Sequence, residues 1–356
     1  MKPQEPYRGA GSEPPHSTVR EARVVLFHRK PSPHVFSIEQ VFELVRSHLP
    51  ERFEPEVAVS SYPSKGFLGR VRSMLEARRR QGDVNHVVGD VHFLVLVLDP
   101  ARTILTIHDC EFMERAPRLK RWIYLWVWLR LPVWRSRIVV VPTEAVRDDL
   151  ERYVRFDRRK VRIIADPVAP VFVPTPRPFN REEPVILQVG TRPNKNLERV
   201  VMALGGIRSR LVVLGPLTQE QRRLLDASHV RYEQFIDLSH EEVGRRYRDC
   251  DVVVFASTKE GFGLPIIEAQ ASGRPVVAGN RPPLPDVAGG AACLVDPFDV
   301  LSIRAGIRRL IEDADYRERL VRDGLLNVAR FEARAIAHGY AAVYDEILAA
   351  SPARSS

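Results

Sequence analysis

At 356 residues the chain is longer than one hydrophobic core ordinarily organises, so two domains are expected. An apolar fraction of 44% with 28% charged residues excludes fibrous, collagen-like and disordered classes. The net charge of +9 sits mostly in residues 1–175, where 29 Lys+Arg oppose 21 Asp+Glu, against 25 and 24 in residues 176–356. A basic half suits nucleic acid, anionic lipid or a phosphorylated substrate, and charge alone does not choose among them.

Residues 1–20 carry Pro, Gly and charges without an apolar run, so they read as a loose tail and not a secretory signal. From residue 21 short β-rich runs alternate with amphipathic stretches. The runs are Arg23 to Phe27, Glu56 to Ser60, Val84 to Val88, Thr103 to Ile107, Ile138 to Val141 and Val161 to Ile164. Between the first two, Ser37 with Gln40 forms a capping box and Phe36 with Val41 a hydrophobic staple, which predicts a helix to about Leu49. The apolar runs Phe93 to Leu98 and Trp122 to Leu129 are far short of the ~20 residues that span a bilayer. Pro167, Pro170, Pro174, Pro176, Pro178 and Pro184 then break both helix and ladder.

A second series follows: Val185 to Val189, Leu211 to Leu214, Val230 to Tyr232, Asp251 to Phe255, Arg274 to Val277 and Ala292 to Val295. Helical patterns lie between most of them, one opened by a Ser239/Glu242 capping box. Alternation of this kind predicts an α/β chain of two doubly wound parallel-sheet domains. The expected division is 21–170, a Pro-rich linker at 171–184, 185–330, and a helix over 331–350 that packs back across the first domain. Three cysteines, Cys110, Cys250 and Cys293, have neither disulfide nor zinc spacing, which fits a reducing cytoplasm.

Chemistry concentrates in Lys259-Glu260-Gly261-Phe262-Gly263-Leu264-Pro265-Ile266-Ile267-Glu268-Ala269. Two glycines follow a buried run, and Pro265 falls where a first-turn proline loses no needed N–H, so the segment reads as strand, tight loop and helix start. Free amides and the positive dipole end suit a phosphate. Glu260 and Glu268 add carboxylates that accept hydrogen bonds from hydroxyl pairs, as on a sugar or ribose. Taken alone this is also a plain glycine turn with two solvated glutamates. The first run of the same domain leads into Gly190-Thr191-Arg192-Pro193-Asn194-Lys195-Asn196-Leu197, where Asn196 is expected to cap a helix and Lys195 to bring an ammonium beside it. No Walker pattern is present.

Together the segments EGFGLPIIEAQASGRPVV and ILQVGTRPNKNLERV resemble the Glu-x7-Glu motif and phosphate loop of glycosyltransferase family 4, retaining enzymes of the GT-B fold. The resemblance covers about 185 to 330. It implies two Rossmann-like domains facing a cleft and a UDP- or GDP-sugar donor. By this likeness Glu260 contacts the donor sugar, Gly261, Phe262, Gly263 and Leu264 meet it through the backbone, and Glu268 holds the ribose. Gly190, Thr191 and Arg192 bind the donor beside Lys195, which with Arg192 neutralises the diphosphate.

In the first half, Thr103 to Asp109 resembles that family's strand ending in His-Asp at the cleft, so His108 and Asp109 are expected at the donor sugar or acceptor hydroxyl. The commoner pattern is absent in two places: the glycine-rich loop after the first strand is replaced by His28 to Ser37, and an Asn-Gly turn by Ala165-Asp166-Pro167. Arg29 and Lys30 could bind a phosphorylated acceptor, or be a solvated basic loop.

All four tryptophans lie in Arg118 to Arg135, mixed with cations. This pattern fits a large helix packed on the sheet with arginines reaching out, since aromatic stripes usually serve cores, or an interfacial helix on anionic lipid; the basic stretch Arg70 to Arg80 adds to the second. Asp249-Cys250-Asp251 mimics a metal motif but abuts a buried run, away from both phosphate loops. With Lys195 and helix ends on the diphosphate, no metal or other cofactor is expected.

The resulting expectation is a metal-independent retaining hexosyltransferase with a saccharide or lipid-linked acceptor in surface polysaccharide assembly. It is placed in the cytoplasm or on the inner membrane face. A sugar-nucleotide epimerase and a non-catalytic nucleotide-sugar binder are the alternatives. No nucleic-acid partner is expected, because no helix-turn-helix, ribonucleoprotein or zinc pattern accompanies the charge.

Overall fold

The computed structural model describes residues 21–30, 37–62, 66–115 and 117–350. Each expected β-rich run overlaps a strand. In the first lobe these are β1 Ala22–His28, β2 Phe53–Val59, β3 Val84–Val87, β4 Thr103–Thr106, β5 Ile138–Val141 and β6 Val161–Ile163. The second has β7 Val185–Val189, β8 Arg210–Leu214, β9 Arg231–Phe235, β10 Val252–Phe255, β11 Val276–Gly279 and β12 Cys293–Val295. Runs such as Ile138–Val141 and Val252–Phe255 are β-branched or aromatic throughout and buried at every position, as strands covered on both faces require.

The strand order is β2-β1-β3-β4-β5-β6 in one sheet and β12-β11-β10-β7-β8-β9 in the other, with every pairing parallel. Chain direction across the sheet reverses between β1 and β3, and again between β7 and β10. At such switch points the loops leaving the carboxyl ends diverge and open a crevice, which fixes where each lobe can hold a ligand.

The chain crosses between lobes twice. Ile164 belongs to the first core, whereas Phe172, with Val168 and Ala169 beside it, packs into the second. The return follows Phe331, which is buried in the second core; Val168 N–H donates to the Phe331 carbonyl at 2.9 Å, tying the two crossings together. Helix Ala333–Ala350 then buries Ile336, Tyr340, Tyr344 and Ile347 against β1 and β3 to β5. Tyr344 Oη lies 2.9 Å from His86 Nδ1, whose Nε2 is 2.7 Å from Thr106 Oγ1. Burial lowers the His86 pKa to about 3, so this bridge is neutral. Arg52 to Asp345 and Arg162 to Glu346, each 2.8 Å, secure the helix rim.

The helix after β1 runs Ser37–Ser47; Phe36 of the expected staple and the tail 1–20 lie outside the described residues. The Ser239/Glu242 capping box forms as expected. Asn196 does not cap its helix, contrary to expectation. Its backbone is left-handed (φ 63°), and its side chain amide donates instead to the carbonyls of Ala256 (2.9 Å) and Pro297 (2.6 Å), where two buried acceptors outcompete the cap.

The tryptophan-bearing segment is one helical stretch, Arg118–Arg135, whose middle, Tyr124–Arg130, is π-helical. Pro132 has no N–H to offer the Trp128 carbonyl four residues back. His92 Nδ1 donates to that carbonyl instead, at 2.8 Å. Trp128 is buried in the first core and donates its indole N–H to Asp90 at 3.0 Å, as the packed-helix reading expects, whereas Trp122 and Trp134 face out.

Candidate active site

Both loops at the β7/β10 switch point are stitched into one surface. Thr258 N–H donates to the Asn194 carbonyl (2.9 Å), and Asn194 Nδ2 to the Lys259 carbonyl (3.0 Å) and Glu260 Oε1 (3.3 Å). Lys195 Nζ sits 2.6 Å from Glu260 Oε1 and 4.8 Å from the Phe255 ring centroid. Buried Gln188, which sequence reasoning missed, holds the loop from beneath by donating to the carbonyls of Gly190 (3.2 Å) and Lys195 (2.9 Å). The Thr191 hydroxyl donates to the Pro216 carbonyl, so that side chain shapes the loop.

Gly263 takes φ 112°, and a Cβ there would come 2.7 Å from Leu284 Cδ2; only glycine allows this turn into helix Leu264–Ala271. The Phe262 ring points into the core against Phe331 (5.6 Å between centroids), leaving its backbone for the cavity. Glu268, one turn into the helix, accepts from the Tyr247 hydroxyl at 2.5 Å. Burial pushes its carboxyl up to about 7, against the opposing pull of that hydrogen bond and of Lys195. Tyr247 carried no sequence signal beyond its place on an amphipathic helix.

A cavity of about 530 Å³ between the lobes is lined by Lys195, Glu260, Gly261, Gly263, Leu264 and Glu268 on one side. His108, Asp109 and Asp166 line it opposite. Gly261 lies close against the other lobe: a Cβ on it would lie 2.1 Å from the His108 carbonyl oxygen, and Thr143 Oγ1 donates to the Gly261 carbonyl at 3.0 Å. Lys259 reaches across to Glu114 (2.5 Å) and Asp149 (3.4 Å). His108 Nδ1 is 3.7 Å from Asp166 Oδ1, too far for a hydrogen bond. His108 Nε2 and Asp166 Oδ1 are both buried without a hydrogen-bond partner. Asp166 stands in the turn that departs from the family pattern, so sequence likeness could not point to it.

A second cavity, about 440 Å³, adjoins the first at His108 and Asp109 and takes in Arg29, Asp90, Tyr124 and Arg192. Arg192 is therefore apart from Lys195, in the neighbouring space. Arg29 is paired with Glu39 at 2.9 Å, and exposed Lys30 lines neither cavity. Asp251 accepts from the N–H of Val185 (2.8 Å) and Asn180 (3.2 Å), a strand-end support consistent with reading Asp249-Cys250-Asp251 as a mimic. Among the described residues no three His, Cys, Asp or Glu side chains converge as metal ligands, and no helix is long and apolar enough to cross a membrane.

Two parallel six-stranded lobes whose carboxyl-edge loops face each other, with a terminal helix returned to the first lobe, define the GT-B architecture. Within it, residues 174–325, less than half of the chain, match the family described as Glycosyl transferases group 1. Over 102 residues, 29% of the chain, the sequence is 37% identical to O-antigen chain mannosyltransferase B of Escherichia coli, and the aligned stretch is 26% of that protein. Sucrose-phosphate synthase from Thermosynechococcus elongatus superposes with TM-score 0.75 at 18% identity, over 93% of this chain and 100% of that one. HepE of Anabaena, in complex with UDP and glucose, gives 0.72 at 14% identity over 91% and 100%. At these identities the structural likeness speaks for the fold.

Proposed function

We propose that the chain is a retaining glycosyltransferase that moves a hexose from a nucleoside-diphosphate sugar to a saccharide acceptor during assembly of a surface polysaccharide. The observation that carries this reading is the Lys195–Glu260 pair at 2.6 Å, which joins a phosphate-suited loop to a sugar-suited carboxylate at one switch point. Support comes from the group 1 match over 174–325, from the mannosyltransferase name of a relative, and from the UDP and glucose held by HepE.

In this reading the diphosphate lies against Lys195 and the first amides of helix Leu264–Ala271, the ribose against Glu268, and the hexose against Glu260 and His108. As the anomeric C–O bond breaks, its electron pair leaves with the diphosphate, and Lys195 and the helix start stabilise that charge. The acceptor hydroxyl, held in the adjoining cavity, attacks from the same face, and its proton passes to the departing phosphate oxygen. The lobes supply orientation and charge stabilisation, with no protein nucleophile and no need for a divalent cation.

The test is a thermal-shift screen with UDP, GDP, ADP, TDP and their sugars, followed by nucleotide-release assays on the stabilising donor. A true donor at a hundred times its Kd adds about 2.7 kcal/mol to the folded state. Lys195→Ala and Glu260→Ala should each lower turnover strongly in a folded chain. Absence of stabilisation by any nucleotide, near-full turnover in Lys195→Ala, or an isomerised donor formed without acceptor would each defeat the proposal.

A further inference from the structure

The cleft chemistry assigns no work to the outward tryptophans. Trp122 and Trp134 are 66% and 49% exposed, and Trp126 joins them ring to ring at 6.1 and 5.9 Å. Twelve residues of unbroken α-helix would carry Trp134 about a third of a turn away from Trp122. The wider π-helical turns over Tyr124–Arg130 slow that rotation, so the three indoles form one row, flanked by exposed Ile123 and Leu131.

Helix Phe67–Arg79 is a neighbour, with Arg70 4.5 Å from the Trp128 ring centroid, and it exposes Phe67, Leu68 and Leu75. Both segments are strongly basic. Residues 118–135 hold five Lys+Arg and no acid, and residues 65–80 hold six against Glu76 alone, which pairs with Arg80. Lys120, Arg121, Arg72, Arg78 and Arg79 are exposed. Protein–protein interfaces also enrich tryptophan and arginine, but a face of eleven cations against one acid complements an anionic surface, and large aromatics interleaved with cations belong to the headgroup layer of a bilayer.

We propose that these two helices form a docking face for an anionic lipid bilayer, with the indole row at headgroup depth and the cations against lipid phosphates. Tyr124, on the same stretch, lines the second cavity beside His108. An acceptor saccharide anchored in that bilayer would therefore meet the cleft from the membrane side; this consequence rests on the transferase reading, while the docking does not.

All four tryptophans lie in the segment, so intrinsic fluorescence of the full chain reads it directly. With phosphatidylcholine–phosphatidylglycerol vesicles the emission should shift to the blue and the protein co-sediment, and both should decline as salt rises; phosphatidylcholine vesicles alone should bind far less. Lys120→Gln and Arg121→Gln should each lower partitioning roughly fivefold, and Trp122→Ala and Trp134→Ala should remove most of the blue shift. Nucleotide-induced stabilisation should stay unchanged in all four, and melting temperature in Lys120→Gln, Arg121→Gln and Trp122→Ala, which separates this proposal from the transferase reading; Trp134→Ala also loses the indole hydrogen bond to the Arg155 carbonyl and should melt somewhat lower. Failure of the wild-type chain to bind anionic vesicles, equal binding by the variants, or a self-associated form dissolved by Trp122→Ala would overturn it.

Discussion

Gly261→Ala is the sharpest probe of the cleft. The added methyl would lie 2.1 Å from the His108 carbonyl oxygen and 3.1 Å from Asp109 Cβ. Against His108 it falls short of ordinary contact by about 1.3 Å, and the atom it meets is backbone, so no rotamer change relieves it. Either the Lys259–Gly263 loop retreats or the lobes part, and the Thr143 hydrogen bond to Gly261 stretches with them. A misplacement of about 1 Å between reacting groups costs on the order of 100-fold in rate, whereas loss of one hydrogen bond costs about 1 kcal/mol of stability. Nucleotide release with the donor identified by thermal shift should therefore fall about 100-fold in kcat/KM. Nucleotide-induced stabilisation should persist, because Lys195 and Glu268 keep their places in the second lobe. A variant within threefold of wild-type activity would refute the claim that this contact sets the distance between His108 and the donor loop.

Two further outcomes follow from buried titrating groups. Glu268 has a folded pKa of about 7 against an ordinary 4.5, so the fold holds its proton more tightly than the unfolded chain does, and stability from this group is lost as pH rises from 4.5 through 7. Glu268→Gln should accordingly melt higher than wild type at pH 8, by about 1–2 kcal/mol after allowing for solvent reaching the carboxyl from the cleft, while binding nucleotide more weakly; a lower melting point with unchanged binding contradicts the assignment. His86 shifts the other way, from 6.5 to about 3, so its contribution is intact above 6.5 and lost as pH falls toward 3. Urea melts between pH 7 and 5 should lose up to about 1.4 kcal/mol per unit from this group, with a shallower slope in His86→Gln, and an identical slope in both proteins would exclude His86 as the cause.

Strand positions were legible because fully buried parallel strands leave uninterrupted β-branched runs, as at Ile138–Val141, and the helix start at Gly263–Pro265 because few residues fit such a turn. Long-range reasons were not legible. Gly261 reads locally as a turn glycine, yet its constraint comes from a carbonyl in the other lobe. Asn196 reads as a cap, yet two distant carbonyls claim its amide. Arg192 stands three residues from Lys195 in sequence, but the intervening turn sends it to a different cavity. Asp166 faces His108 only because the chain changes lobes at that turn, and the role of His92 depends on Pro132, forty residues later.

The two crossings are joined by the Val168–Phe331 hydrogen bond, so the chain enters and leaves the second lobe at one place. Phe262 rests on Phe331, 5.6 Å between ring centroids, so the Lys259–Gly263 loop is packed against that same junction. A side-chain change at Phe331 would therefore reach the cleft loop and the junction between the lobes together.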